Sequence, residues 1–260
     1  MDIKILVASH KKAEMPEDGI YLPVHVGRAL HPDREFGYQS DAEGDNISIK
    51  NPYYCELTAL YWMWKNSKAD IVGLVHYRRY FCNRNLEYGD LIKPNDIQFS
   101  GDNNIIVAKP ENFIKSTKNI LGFKFHKFHT VKEQYCSCHY ENDWDKLRLI
   151  ISQQSPDYLH AFDKVANRTS GISFYNMFIA NKKVADEYSE WLFSILFAFR
   201  DQENFEGYDD YQKRFYGFAS ERLLNVFPDR TPPDTPAEAK HSIQVILMRY
   251  NSRISITSSS

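Results

Sequence analysis

Apolar residues recur along this chain in two rhythms. Ile3 to Ala8 is a short continuous apolar run, followed by the polar Ser9-His10-Lys11-Lys12. It predicts a central strand whose carboxyl end opens into a polar loop, the end at which open α/β sheets bind ligands. Residues 13–50 are rich in Pro, Gly, Asp and His and contain the turn signal Gly44-Asp45-Asn46, which predicts a long functional loop with little regular structure. Asn51-Pro52 predicts a helix start, with Asn as cap and Pro at the first position. Tyr53, Leu57, Leu60, Tyr61 and Trp64 share one face of that helix, which runs to about Asn66. Asp70 to His76 reads as a second strand. Its unbroken Ile-Val-Gly-Leu-Val suits a parallel strand covered on both faces. Ile105 to Ala108 is a third strand.

Residues 111–170 read as mainly helical, punctuated by Pro156. Ile172 to Ala180 predicts another strand, and a helix follows from about Lys183 to Arg200. Gly207 to Asp210 is a turn, leading into a helix from about Tyr211 to Val226 with Tyr211, Phe215 and Phe218 on one face. After Pro228 apolar density falls. Residues 229–240 predict a linker, 241–250 one more short element, and the final Ser-Ile-Thr-Ser-Ser-Ser a frayed terminus. This order gives an α/β class, a mixed or parallel sheet flanked by helices with a helical C-terminal part.

Length and composition narrow the classes. The 260 residues suffice for one large α/β domain, or a domain plus a small helical lobe, and a 43% apolar fraction supports a substantial core. Aromatics reach 15%, and such rings either stack on sugars and bases or fill cores. A net charge of −2 supplies no basic face, so no nucleic-acid partner is expected. Of four cysteines only Cys136 and Cys138 are close, nearer than a zinc pattern requires, so reduced thiols in the cytoplasm are expected. The N-terminus lacks a basic lead and an apolar core, so no signal peptide is expected. No run approaches the length of a membrane span, and Trp191 to Phe199 reads as a buried helix.

Five segments carry candidate chemistry. His76-Tyr77-Arg78-Arg79-Tyr80 gathers donors at the end of the second strand; arginine forks match phosphate oxygens in pairs, although a surface salt bridge would use the same residues. Asp45 and Asn46 either grip sugar hydroxyls or a metal, or form a turn. Asn176, in an apolar run, either meets a substrate hydroxyl or bonds internally. Asp209 and Asp210 begin a helix, where one caps and the other could act as general base. Glu221 with Arg222 is a second base candidate or an ordinary ion pair. His10, His25, His31, His126, His129 and His139 are scattered, and the i, i+3 pair His126 and His129 is a weak metal signal.

Taken in order, six blocks resemble one family. They are His10-Lys11-Lys12 with Pro16, Gly44 to Ser48, Glu56 to Asn66, Gly73 to Phe81, Tyr175 to Ile179, and Gly217 to Asn225. Together they are similar to the domain of unknown function DUF4422 over roughly residues 1–227, leaving 228–260 as linker and tail. The resemblance implies a GT-A-like fold and a glycosyltransferase of capsule or O-antigen synthesis. A family member within a galactan polymerase uses UDP-galactofuranose, so the expected reaction moves galactofuranose or galactose from a UDP-sugar to a polysaccharide or lipid-linked acceptor, with inversion. Lipid-linked acceptors leave room for peripheral contact at the inner face of the cytoplasmic membrane.

GT-A enzymes ordinarily hold a divalent metal with an Asp-x-Asp motif after the strand entering the site. Here that place reads His76-Tyr77-Arg78-Arg79, so no cofactor is expected and the arginines stand in for the metal; Asp45 is the residue for Mn or Mg in the opposite case. The resemblance puts His10, Asp45, Asn46, His76, Tyr77, Arg78 and Arg79 on the donor and His139, Asn176 and Arg222 on the acceptor or sugar. Asp209 is the first choice of base, since the family pattern is similar to Tyr-Asp-x-Tyr-Gln, and Glu221 the second. The alternatives are a nucleotide-sugar or glycan-binding protein without catalysis and, last, a phosphate-handling hydrolase, which lacks an evident nucleophile.

Overall fold

A computed structural model describes residues 1–82, 91–99, 104–118, 124–201, 207–230 and 242–250. The elements are β1 (Ile3–Ser9), β2 (Tyr21–His25), β3 (Gln39–Ser40), α1 (Asn51–Tyr54), α2 (Leu57–Asn66), β4 (Ile71–His76), β5 (Arg79–Cys82), β6 (Asn104–Ala108), β7 (Ile114–Lys118), β8 (Lys124–Phe128), α3 (Val131–Cys138), α4 (Glu141–Gln154), α5 (Leu159–Ala166), β9 (Phe178–Asn181), α6 (Lys182–Asp201), α7 (Phe215–Val226) and β10 (Ser242–Tyr250).

Period-two alternation builds the central sheet. Ile3, Ile5 and Val7 face one core with Ile71, Val75, Ile106 and Ile179, while Leu6, Val72, Leu74, Ile105 and Phe178 face the other with the helices. Side chains such as Leu6, Val72 and Leu74 are fully buried, each contributing about 1.5–3 kcal/mol by leaving water. The strand order is β3-β2-β1-β4-β5-β10-β6-β9, with β9 also pairing β4. β1 to β4 run parallel where they pair, and β9 is antiparallel to both β4 and β6. This is a mixed sheet flanked by helices, with a helical part after β9.

β4 divides its pairing. Residues Ile71 to Leu74 meet β9, and His76 meets Arg79 of β5 across the Tyr77-Arg78 turn. A Cβ on Gly73 would lie 2.8 Å from the Phe178 carbonyl oxygen, so the close approach of β9 requires glycine there.

The structure departs from several sequence expectations. The presumed loop 13–50 contains β2 and β3; Pro23 and short length hide β2 from a pattern reading. The helix expected over 51–66 breaks at Cys55, whose φ is 51°. Asn51 is no N-terminal cap: its Nδ2 donates to Cys55 O at 2.8 Å and so supports the break. The stretch 111–170 opens with the antiparallel hairpin β7–β8 before its helices. The strand expected over 172–180 is regular only from Phe178, because Tyr175 and Asn176 both adopt positive φ. Residues 212–214 form a 3-10 turn before α7. The boundary at 227 comes from the resemblance alone, and Ser242–Tyr250 lies within the same sheet, between β5 and β6. The expected linker over 229–240, from residue 231 on, and the expected frayed terminus lie outside the described residues, as does the His126 side chain. No helix among the described residues is long and apolar enough to cross a membrane.

Candidate active site

The carboxyl ends of β1, β2 and β4 open into a cleft of ≈ 500 Å³. On the strand side it is lined by Ala8, His10, Val26 and the run His76 to Arg79; on the helix side by Cys55, Glu56, Tyr175, Arg214, Phe218 and Glu221. The turn after β4 is tied to β1 by the Tyr77 amide, which donates to Ala8 O. The Tyr77 ring then gathers one imidazole and two cations. His10 packs edge-on at 5.5 Å, the Arg78 guanidinium lies 5.2 Å from the ring centroid and Lys11 Nζ 5.6 Å. Arg79 stacks over the Tyr175 ring at 3.9 Å. Arg214 Nε donates to Cys55 Sγ at 3.2 Å.

Burial, then the neighbouring Arg78, holds the His10 pKa below its ordinary value, so the imidazole is neutral at pH 7. Burial likewise lowers His76. Its Nε2–H donates to the Tyr175 carbonyl at 2.6 Å, which fixes the tautomer.

Two carboxylates share the cleft with three arginines. Glu221 Oε1 accepts from the Tyr175 amide at 3.0 Å and Oε2 from Arg222 at 2.9 Å. Burial raises the Glu221 pKa to about 7, opposed by Arg222 and assisted by the charge of Glu56. Glu56 Oε1 accepts from Asn176 Nδ2 at 2.6 Å. Asn176 is buried, also donates to Gly217 O and accepts from Ser220 Oγ. These bonds tie Asn176 and, through it, Glu56 to α7. Cys55, Tyr175 and Asn176 are the non-glycine residues with positive φ among those described, and all three lie in or directly beneath the cleft. Such strain costs on the order of 1–3 kcal/mol per residue and concentrates at functional sites.

Of the residues expected on the donor, His10, His76, Tyr77, Arg78 and Arg79 come together; Asp45 and Asn46 do not. Asp45 accepts from Tyr61 Oη at 3.2 Å, and Asn46 bonds the backbone of its own turn. The turn reading accounts for both, and Asp45 does not line the cleft where it would have to hold a metal. Asp209 is exposed and accepts from Gln212 N at 2.7 Å, so it caps a 3-10 turn outside the cleft, whereas Glu221 lines it. Arg222, 2% exposed, pairs internally with Glu221 and Gln134. His139 lies beside the cleft, stacked on Phe218. Sequence reasoning missed roles for Cys55, Glu56, Tyr175 and Arg214. The one local signal was a carboxylate, Glu56, directly before an apolar helix.

Comparison with known proteins bears on this geometry. No curated protein matches the chain. A solved structure described as "WbbM bifunctional glycosytransferase apo structure" is similar, with 27% identity and a TM-score of 0.76 over 97% of this chain and 46% of that one. The chain thus spans about half the length of that protein. The family described as "Domain of unknown function (DUF4422)" matches residues 4–231, and this chain belongs to it.

Proposed function

We propose that this chain is a glycosyltransferase that moves a hexosyl group, galactofuranose or galactose, from a UDP-sugar to a polysaccharide or lipid-linked acceptor of capsule or O-antigen synthesis, with inversion. The observation that carries the reading is one cleft at the strand ends holding Arg78, Arg79 and Arg214 together with Glu221, a carboxyl raised to about 7. The kinship with a bifunctional glycosyltransferase supports it.

The nucleoside end of the donor lies toward Ala8, His10 and Val26, where the open ends of β1 and β2 leave room beside neutral His10. Arg78 and Arg79 meet the diphosphate and stabilise the charge that develops on the leaving UDP. Their charge does not titrate near neutrality, which is why they serve in place of a divalent ion. Glu221 accepts the proton of the acceptor hydroxyl as that oxygen attacks the anomeric carbon and the bond to UDP breaks. A base with a pKa near the working pH combines a large ionised fraction with useful basicity. Glu221 replaces Asp209 in this role because it lines the cleft.

The test is a thermal-shift series with UDP and UDP-hexoses in excess chelator, followed by donor hydrolysis. A ligand at a hundred times its Kd adds about 2.7 kcal/mol of stability. UDP and a UDP-hexose raise Tm with chelator present, and the donor is hydrolysed slowly without acceptor. Turnover lost in chelator and restored by manganese contradicts the role of the arginines. Binding with no hydrolysis or transfer supports a non-catalytic sugar-nucleotide binder instead.

A further inference from the structure

A ring stack leaves the cleft on its helix side. Phe218 lines the cleft and lies 4.2 Å from the His139 ring at 28°; Tyr211 is 5.0 Å from Phe218 and 5.7 Å from His139 at 17°. Tyr211 is 51% exposed, so its ring extends the stack into solvent. A separate ring pair is formed by Tyr140, 44% exposed, and Tyr208 at 4.7 Å.

The stack is held from beneath. Gln212 Nε2 donates to Cys138 O at 2.9 Å, which orients the amide, and its Oε1 accepts from His139 Nδ1 at 3.1 Å. Asp209 Oδ1 accepts from the Gln212 backbone N–H at 2.7 Å and so fixes the turn that carries it. This tautomer leaves His139 Nε2 as a hydrogen-bond acceptor, and burial pushes the His139 pKa down to about 4, so the ring stays neutral. The Arg214 guanidinium lies 5.6 Å from the Phe218 ring, with no carboxylate paired to it among the described residues.

We propose that Tyr211, Phe218 and His139, with Arg214 at their edge, form the acceptor subsite, taking a neutral hexose of an oligosaccharide by stacking. This deepens the transferase reading and rests on it. The exposed Tyr211 ring at the end of the stack meets the C–H face of a sugar ring, while the sugar hydroxyls donate to His139 Nε2 and accept from Arg214. The surface is continuous with the cleft through Phe218 and Arg214, so a sugar seated on it presents a hydroxyl toward Glu221. The rings are pre-ordered by Gln212, which lowers the cost of binding. Asp209 becomes a positioning residue that seats the subsite rather than a base.

The experiment is saturation-transfer NMR with a panel of galactose and glucose oligosaccharides of two to four units, with UDP thermal shifts measured on the same samples. The full chain, Tyr211→Phe and the surface control Asp210→Ala show transfer to ring protons of at least one oligosaccharide. In Tyr211→Ala the oligosaccharide Kd rises about fivefold while the UDP shift is unchanged, in line with the loss of one stacking contact. Saturation transfer absent from the wild type across the panel, or equal affinity in wild type and Tyr211→Ala, overturns the subsite. A wild type that also ignores UDP sinks the transferase reading itself, so the two failures are distinct.

Discussion

Arg78 stands exposed on the strand rim of the cleft, over the Tyr77 ring, whereas Arg222, on α7, is 2% exposed and donates to Glu221, Phe218 O and Gln134. The side-chain type is the same and the roles diverge. A solvated guanidinium can exchange water for phosphate oxygens at small cost. A buried one is already matched to partners, and removing it strands a carboxylate in low dielectric. Surroundings rather than residue identity separate a ligand contact from a scaffold contact. The same contrast holds between Glu221, buried and shifted, and Asp209, exposed and engaged as a cap.

The largest expected effect falls on the helix rim. Glu221→Gln lowers turnover by about a hundredfold or more while the UDP-induced Tm shift persists, on the usual scale for a general base; near-normal turnover removes Glu221 from the role. Arg222→Ala costs about 3–5 kcal/mol in denaturant unfolding, because Glu221 loses its partner. On the strand rim, Arg78→Ala and Arg79→Ala each weaken UDP roughly tenfold to a hundredfold in calorimetric titration, with Tm nearly unchanged for exposed Arg78. Equal losses of Tm for Arg78→Ala and Arg222→Ala would erase the distinction between the rims.

The pH dependence sharpens the contrast next. Glu221 must be ionised to act, so the rate falls about tenfold per pH unit below its pKa of about 7. For stability the sign is opposite to that of a salt-bridged surface acid. The folded pKa lies above the unfolded value, so folding takes up a proton and the stabilising contribution fades as pH rises toward 7. The difference in Tm between wild type and Glu221→Gln therefore moves in favour of the wild type as pH falls from 7 to 5. The smallest effect is at Asp209: Asn is as good a cap, so Asp209→Asn keeps turnover within about threefold.

Much of the sheet was legible because alternation is local. Ile3 to Ala8 and Ile71 to His76 announce themselves, and so does the polar run that follows each. What stayed hidden depends on distant partners. Pro23 disguises β2, and nothing near Cys55 signals a helix break whose Sγ is met by Arg214, 159 positions away. Glu56 gains its place from Asn176, 120 positions distant. The clustering of His76 to Arg79 in the cleft could be read because one strand end carries it. Asp209 and Glu221 could not be ranked, since a capping carboxylate and a buried one look alike until packing is known.

β10 lies between β5 and β6 although it is the last strand in chain order among the described residues. A nascent chain leaving the ribosome therefore carries two unzipped strand borders until Tyr250 emerges, roughly 170 positions after β5 closes at Cys82. At ordinary elongation rates this delay is about 10 to 30 s. Throughout that interval the borders can capture neighbouring chains. The yield of active protein in a cell should accordingly track translation speed and holdase supply more closely than the finished molecule's melting point.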